Sequence, residues 1–184
     1  GRNFAQLVVR LGATGDLSRR KLLPGLFHWA NVGCIPKCRI IGVSVDDMSA
    51  DDFKVFVRKA LDELSTRKIK EGDWERFAAC LDYLPIGAGP AALKAAVEKA
   101  EASLGEENRR LHYLSVPPNA ALSAVKMLGD AGLVERSRVV MEKPFGTDLS
   151  SAVALNAKVH EVFAEDQVFR LDHFLGKEPA PNIL

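Results

Sequence analysis

Short β-prone runs alternate with helical patterns six times along 184 residues, and this alternation constrains the chain more than any other feature. The runs are Phe4–Leu11, Arg39–Val45, Cys80–Leu84, Arg110–Val116, Ser137–Met141 and Gln167–Leu171. Each is too short for a helix and is bounded by turn residues or by the next helical pattern. The first helical pattern opens at Asp16 and runs towards Gly33, with Pro24 predicting a kink or break near Leu23. Ser49 then caps a helix whose apolar face holds Phe53, Phe56, Val57, Ala60, Leu61 and Leu64. A short helix around 73–79 follows. Pro90 suits the first turn of the next, which carries Leu93, Ala96, Val97, Ala100 and Leu104 at helical spacing. Asn119 is read as the cap of a helix to about Ala131, and Thr147 as the cap of one through Phe163. Strands joined in this way pair in parallel through right-handed crossovers.

The first strand runs into Gly12-Ala13-Thr14-Gly15-Asp16-Leu17, a glycine turn that opens the first helix. Glycines let the backbone approach a pyrophosphate, and the free N–H groups of a helix N-terminus favour the anion. Ser18 stands where the third glycine of the dinucleotide fingerprint would come, so taken alone the turn also reads as a plain loop. With the alternation, it predicts a Rossmann-like α/β fold, a doubly wound, mainly parallel six-stranded sheet with helices on both faces, as one domain over 1–184. The 47% hydrophobic content and the length suffice for the core of such a domain.

Ligands of doubly wound sheets lie beyond the carboxyl ends of the strands. The segments expected on that rim are Gly12–Leu17, Ser44–Asp47, Leu84–Gly87, Pro117-Pro118, Glu142–Gly146 and Asp172–Glu178. At the second of these, a carboxylate from Asp46 or Asp47 would accept hydrogen bonds from the ribose hydroxyls of NAD and repel the 2′-phosphate of NADP. The same two residues also read as solvated turn residues ahead of the Ser49 cap. Lys143, before Pro144, can hold a phosphate or a substrate oxygen. The densest polar cluster is Arg170–Glu178, where His173 and Lys177 can bind an oxyanion and Asp172 can orient a histidine. For His28, His112 and His160, placed within helices or a strand, structural roles are expected.

A formal net charge of +1 gives no reason to expect nucleic acid or an anionic membrane as partner. The three cysteines make no disulfide framework, and Cys34-x-x-x-Cys38 lacks a second ligand pair at zinc-finger spacing, so no metal is expected. With no secretory signal and no apolar run long enough to span a bilayer, a soluble cytoplasmic protein is expected.

Gly12-Ala-Thr-Gly-Asp-Leu17 with Lys21, then Pro117-Pro118, Glu142-Lys-Pro-Phe-Gly146 and Arg170-Leu-Asp-His-Phe-Leu-Gly-Lys-Glu178, in this order and spacing, resemble the glucose-6-phosphate dehydrogenase family. The resemblance covers about Ala5 to Leu184, as the dinucleotide-binding domain. It implies oxidation of C1 of glucose 6-phosphate to the lactone, the first step of the pentose phosphate pathway, with NADP or NAD as hydride acceptor. Carried over, Gly12, Ala13, Thr14, Gly15, Asp16 and Leu17 would line the pyrophosphate. Ser44, Val45, Asp46 and Pro117 would meet the cofactor. Lys143 would contact cofactor and sugar, with Pro144 setting its loop. Lys21, His173 and Lys177 would bind substrate, and Asp172 matches the carboxylate that pairs with a catalytic histidine. The resemblance further implies a homodimer or tetramer for the full-length enzyme.

Three departures stand out. The family's tyrosine after the Asp-His pair is Phe174 here, removing a hydroxyl that could assist phosphate binding. The arginine that commonly meets the NADP 2′-phosphate falls at Val45, followed by two aspartates, which makes NAD use plausible. Pro179-Ala180-Pro181 interrupts a stretch that is usually helical. The family's base histidine belongs to a second, α+β domain that also carries most sugar contacts and the dimer interface. A truncated chain, catalytically inactive alone, is therefore expected. Its rival is a standalone NAD(P)-sensing or regulatory module. An unrelated reductase with a similar glycine turn would leave the Asp172–Glu178 cluster unexplained.

Overall fold

A computed structural model of the chain describes residues 5–11, 23–29, 31, 38–105, 108–114, 118–142 and 149–171. In chain order the elements are β1 (Ala5–Leu11), α1 (Leu23–Trp29), β2 (Cys38–Ser44), α2 (Ala50–Leu64), α3 (Glu71–Ala79), β3 (Leu81–Pro85), α4 (Pro90–Leu104), β4 (Asn108–Leu114), α5 (Pro118–Asp130), β5 (Ser137–Glu142), α6 (Leu149–Val162) and β6 (Val168–Leu171). The strands form a six-stranded sheet in the order β3-β2-β1-β4-β5-β6. Every pairing is parallel. The order reverses beside β1, which has β2 on one side and β4 on the other. That reversal opens the crevice in which doubly wound sheets hold their ligands.

Side-chain alternation along the strands divides the core in two. Cys38 and Ile40 of β2, Leu81 of β3, Leu111 and Tyr113 of β4 and Val140 of β5 face α1, α2 and α3. Ile41 and Val43, Leu114, Val139 and Met141 face α4, α5 and α6. On the first face, Phe53, Val57, Ala60 and Leu61 of α2 are buried at the i, i+4, i+7, i+8 spacing of one helical stripe. Leu64, read from the sequence as part of that stripe, is the last residue of α2 and is 37% exposed. Phe77 of α3 is fully buried and meets Phe27 of α1 edge to face at 5.3 Å.

Local signals set the element ends. Ser49 Oγ accepts the Asp52 N–H at 3.0 Å and caps α2, with Asp51 and Asp52 in its first turn. Ser49→Ala is expected to lower stability by about 1 kcal/mol, read as a shift in the urea midpoint at unchanged slope. Pro90 occupies the first turn of α4, and Gly105 ends that helix at φ 70°, a left-handed conformation that glycine adopts without strain. Arg110 on β4 grips Glu101 of α4 through Nε at 3.1 Å and a terminal nitrogen at 3.0 Å, a pair only 10% and 13% exposed. At the amino end of the sheet the Gln167 amide donates to the carbonyls of Val134 and Ser137, at 2.8 and 2.9 Å, fixing the start of β6 beside β5.

Several boundaries differ from the sequence reading. β2 is shifted by one residue and ends at Ser44, leaving Val45 outside the ladder. Val116, where β4 is expected to end, lies outside the described residues. Asn119 is not a cap but the second residue of α5, which opens on Pro118, where a missing N–H is harmless. The residues before Leu23, where the kink or break at Pro24 is expected, lie outside the described residues. The Asp16 and Thr147 caps lie outside the described residues.

Candidate functional site

Parallel pairing sends every strand's carboxyl end to the same edge of the sheet. Leu11 stands opposite Val43 and Leu114, Ser44 opposite Pro85, Leu114 opposite Met141, and Glu142 opposite Leu171. The chain therefore leaves this one rim into all six segments that the sequence marks for ligand binding. Of the candidate residues, Ser44, Val45 and Asp46 are described. Gly12, Ala13, Thr14, Gly15, Asp16, Leu17, Lys21, Pro117, Lys143, Pro144, Asp172, His173 and Lys177 lie outside the described residues.

Ser44 is the last residue of β2 and only 6% exposed. It points to the same side of the sheet as Ile40, towards α2. Val45 follows at 83% exposure, an unusual position for a large aliphatic side chain, and Asp46 and Asp47 are exposed beside it. The turn they form is held by a closed ring of hydrogen bonds. The Asp46 N–H donates to Ser44 Oγ at 3.2 Å. The Ser44 hydroxyl and the Tyr83 hydroxyl are 2.6 Å apart, and the Tyr83 hydroxyl also bonds the Asp46 carbonyl. The donor count closes in one sense: Tyr83 gives its proton to the Asp46 carbonyl and accepts the Ser44 proton. Both main-chain polar groups of Asp46 are thereby fixed. Each bond in such a ring polarises the next.

Tyr83 reaches the turn because its ring is anchored from below. It lies 4.9 Å from the Phe53 ring, which in turn stacks with Phe56 at 6.4 Å. Burial pushes the Tyr83 phenol up from its ordinary value, against the lowering effect of the Ser44 bond. The carboxylates of Asp46 and Asp47 raise it further. The hydroxyl thus stays protonated, a donor, throughout the neutral range. Sequence reasoning missed Tyr83. Its only signal was a tyrosine near the end of an edge strand, two residues before a proline that stops the ladder.

The histidines divide as their surroundings dictate. His112 on β4 is fully buried. Its Nε2 lies 2.9 Å from the Leu133 carbonyl and 3.1 Å from Ser137 Oγ, and its Nδ1 has no hydrogen-bond partner among the described residues. His160 lies on the surface of α6, paired with Glu165 and with the Asn156 carbonyl. Cys38 and Cys80 are buried thiols; burial pushes the Cys80 thiol up, away from reactivity. Among the described residues no group of three His, Cys, Asp or Glu side chains is placed to hold a metal ion, and no helix is long and apolar enough to cross a membrane.

The model of the glucose-6-phosphate dehydrogenase NAD-binding domain matches residues 9–182. The chain belongs to the glucose-6-phosphate dehydrogenase family. Glucose-6-phosphate 1-dehydrogenase 2 of Mycobacterium bovis is 37% identical over 187 residues, covering 96% of this chain and 36% of the relative. The Rhizobium meliloti glucose-6-phosphate 1-dehydrogenase is 38% identical, with the same two coverages. A solved glucose-6-phosphate dehydrogenase in complex with its substrate glucose-6-phosphate superposes with a TM-score of 0.79 at 32% identity, over 95% of this chain and 38% of that one. The Mycobacterium avium enzyme gives 0.76 at 36% identity, over 95% and 37%. The chain thus spans little more than a third of the length of the family members it matches.

The described part of the rim fits a nicotinamide dinucleotide. The order reversal beside β1 provides the crevice, and the end of β2 presents exposed carboxylates at the height where an adenosine ribose is met.

Proposed function

We propose that this chain is the cofactor-binding part of a glucose-6-phosphate 1-dehydrogenase, which oxidises C1 of glucose 6-phosphate to 6-phosphogluconolactone. The observation that carries this reading is the order β3-β2-β1-β4-β5-β6, which sets the strand leading into Gly12–Leu17 at the crevice, in a chain that belongs to this family. When bound, the nicotinamide supplies the hydride acceptor. In this reading the turn's backbone N–H groups hold the pyrophosphate, and Asp46 takes the adenosine ribose from the turn that Ser44 begins. Lys143 on its Pro144 loop lies between cofactor and sugar. Lys21, His173 and Lys177 hold the substrate, and Asp172 orients a base histidine supplied by the rest of the enzyme.

We assign NAD as a full cofactor of this site. Val45 offers no charge to a 2′-phosphate, while Asp46 and Asp47 repel one and can accept from ribose hydroxyls. Calorimetric titration of the chain with each dinucleotide is expected to give a Kd for NAD no weaker than that for NADP. NADP binding more than about tenfold tighter, a difference of about 1.4 kcal/mol, would overturn the assignment, and binding of neither would overturn the site itself.

A further inference from the structure

We infer that Tyr83 is a positioning residue for cofactor choice, its hydroxyl holding the Ser44–Asp46 turn so that the Asp46 carboxylate meets the adenosine ribose. The inference rests on the cofactor reading above and adds to it a residue from a different strand.

Residues 45–47 leave the ladder at Ser44, and Val45, Asp46 and Asp47 are all exposed, so neither burial nor sheet pairing fixes them. A carboxylate on a wandering turn pays an ordering entropy each time it binds a diol. The hydrogen-bond ring removes that cost in advance. It takes the Asp46 N–H through Ser44 Oγ and the Asp46 carbonyl through Tyr83, so the peptide units on either side of the Asp46 Cα are both held. The ring is anchored to the core by the Tyr83–Phe53 contact, and Phe53 is 1% exposed. The link thus runs from a rigid helix, through an edge strand, to the turn. Both bonds are to main-chain groups of Asp46, so what they hold is the backbone that carries the carboxylate.

NAD and NADP should feel this link unequally. Towards NAD the carboxylate accepts from both the 2′- and the 3′-hydroxyl, a geometry that needs a fixed turn. NADP has a phosphate in place of the 2′-hydroxyl and gains less from a fixed carboxylate.

The test is Tyr83→Phe, which keeps the ring against Phe53 and removes the hydroxyl, titrated calorimetrically with NAD and with NADP. The expected result is an NAD Kd weakened by about threefold to tenfold, the worth of one such bond, with a smaller change for NADP. The ratio of the two constants therefore moves towards NADP. Ser44→Ala, which opens the same ring from the β2 side, should reproduce the shift, and the double variant should be no worse than either single one. Unchanged NAD binding in both variants, or equal weakening of the two cofactors, overturns the inference while leaving the site reading intact. If the unaltered chain binds neither dinucleotide, the site reading fails and takes the inference with it.

Discussion

Val45→Arg combined with Asp46→Ser is expected to tighten NADP binding by roughly 10- to 100-fold, the worth of about 1.5–3 kcal/mol for hydrogen bonds to a charged group. Val45 is 83% exposed immediately beyond β2, so a guanidinium there costs no core packing. Arginine presents a planar fork of donors that matches a phosphate. The serine removes the nearest opposing carboxylate, which would otherwise pair with the new arginine and repel the phosphate. The turn should survive the exchange, because the ring around it uses the Asp46 N–H and carbonyl. NAD affinity should fall at the same time, since a ribose diol loses its carboxylate acceptor. Parallel titrations of the double variant with both dinucleotides check the two directions together. A gain for NADP without a loss for NAD would mean that Asp46 does not meet the ribose.

The second large effect concerns acid stability. His112 is fully buried, and burial pushes its imidazole down to about 4; the Leu133 carbonyl opposes this fall, and the Arg110 charge adds to it. Because Nε2 must donate to that carbonyl, the proton sits there and Nδ1 carries a lone pair into the core. A second proton would create an N–H with no acceptor among apolar neighbours such as Phe163. In the unfolded chain the group returns to an ordinary value near 6.5. The unfolded state therefore binds more protons between about 6.5 and 4. The contribution is complete above that window and is lost as the pH falls through it, to a total of about 3 kcal/mol. Urea unfolding at several pH values should show this slope in the unaltered chain. His112→Gln should lower stability at neutral pH and flatten the slope. Equal slopes in the two proteins would sink the account.

The architecture was legible because strand and helix follow one another with distinct periodicities, and because the caps of this chain are local signals. Ser49 and Pro90 were both readable from neighbours within a turn. The two misplacements have different causes. The end of β2 depends on where β3 stops offering partners, at Pro85 opposite Ser44, and nothing in residues 39–45 records that. Asn119 has a cap's chemistry, but Pro118 beside it is itself a helix opener, and propensity alone does not rank the two. At the rim, Asp46 could be singled out from its place after a strand. Tyr83 could not, since it acts 37 residues away in the chain and only the β2–β3 register brings its hydroxyl to the turn. His112 could be assigned to the core from its strand, but its orphaned Nδ1 follows from contacts with Leu133 and Ser137 more than twenty residues on.

The position of β1 also governs how this protein is made. The strand is made before the other five, yet one of its two neighbours, β4, begins only at Asn108. At translation speeds of about 5–20 residues per second, the 97 positions from Leu11 to Asn108 take roughly 5–20 s. During that interval β1 can pair with β2 and β2 with β3, while the opposite edge of β1 stays unsatisfied and adhesive. The nascent chain is most vulnerable to intermolecular strand addition in that window. Variants that slow synthesis between β3 and β4 should lower the soluble yield without altering the stability of the molecules that do fold.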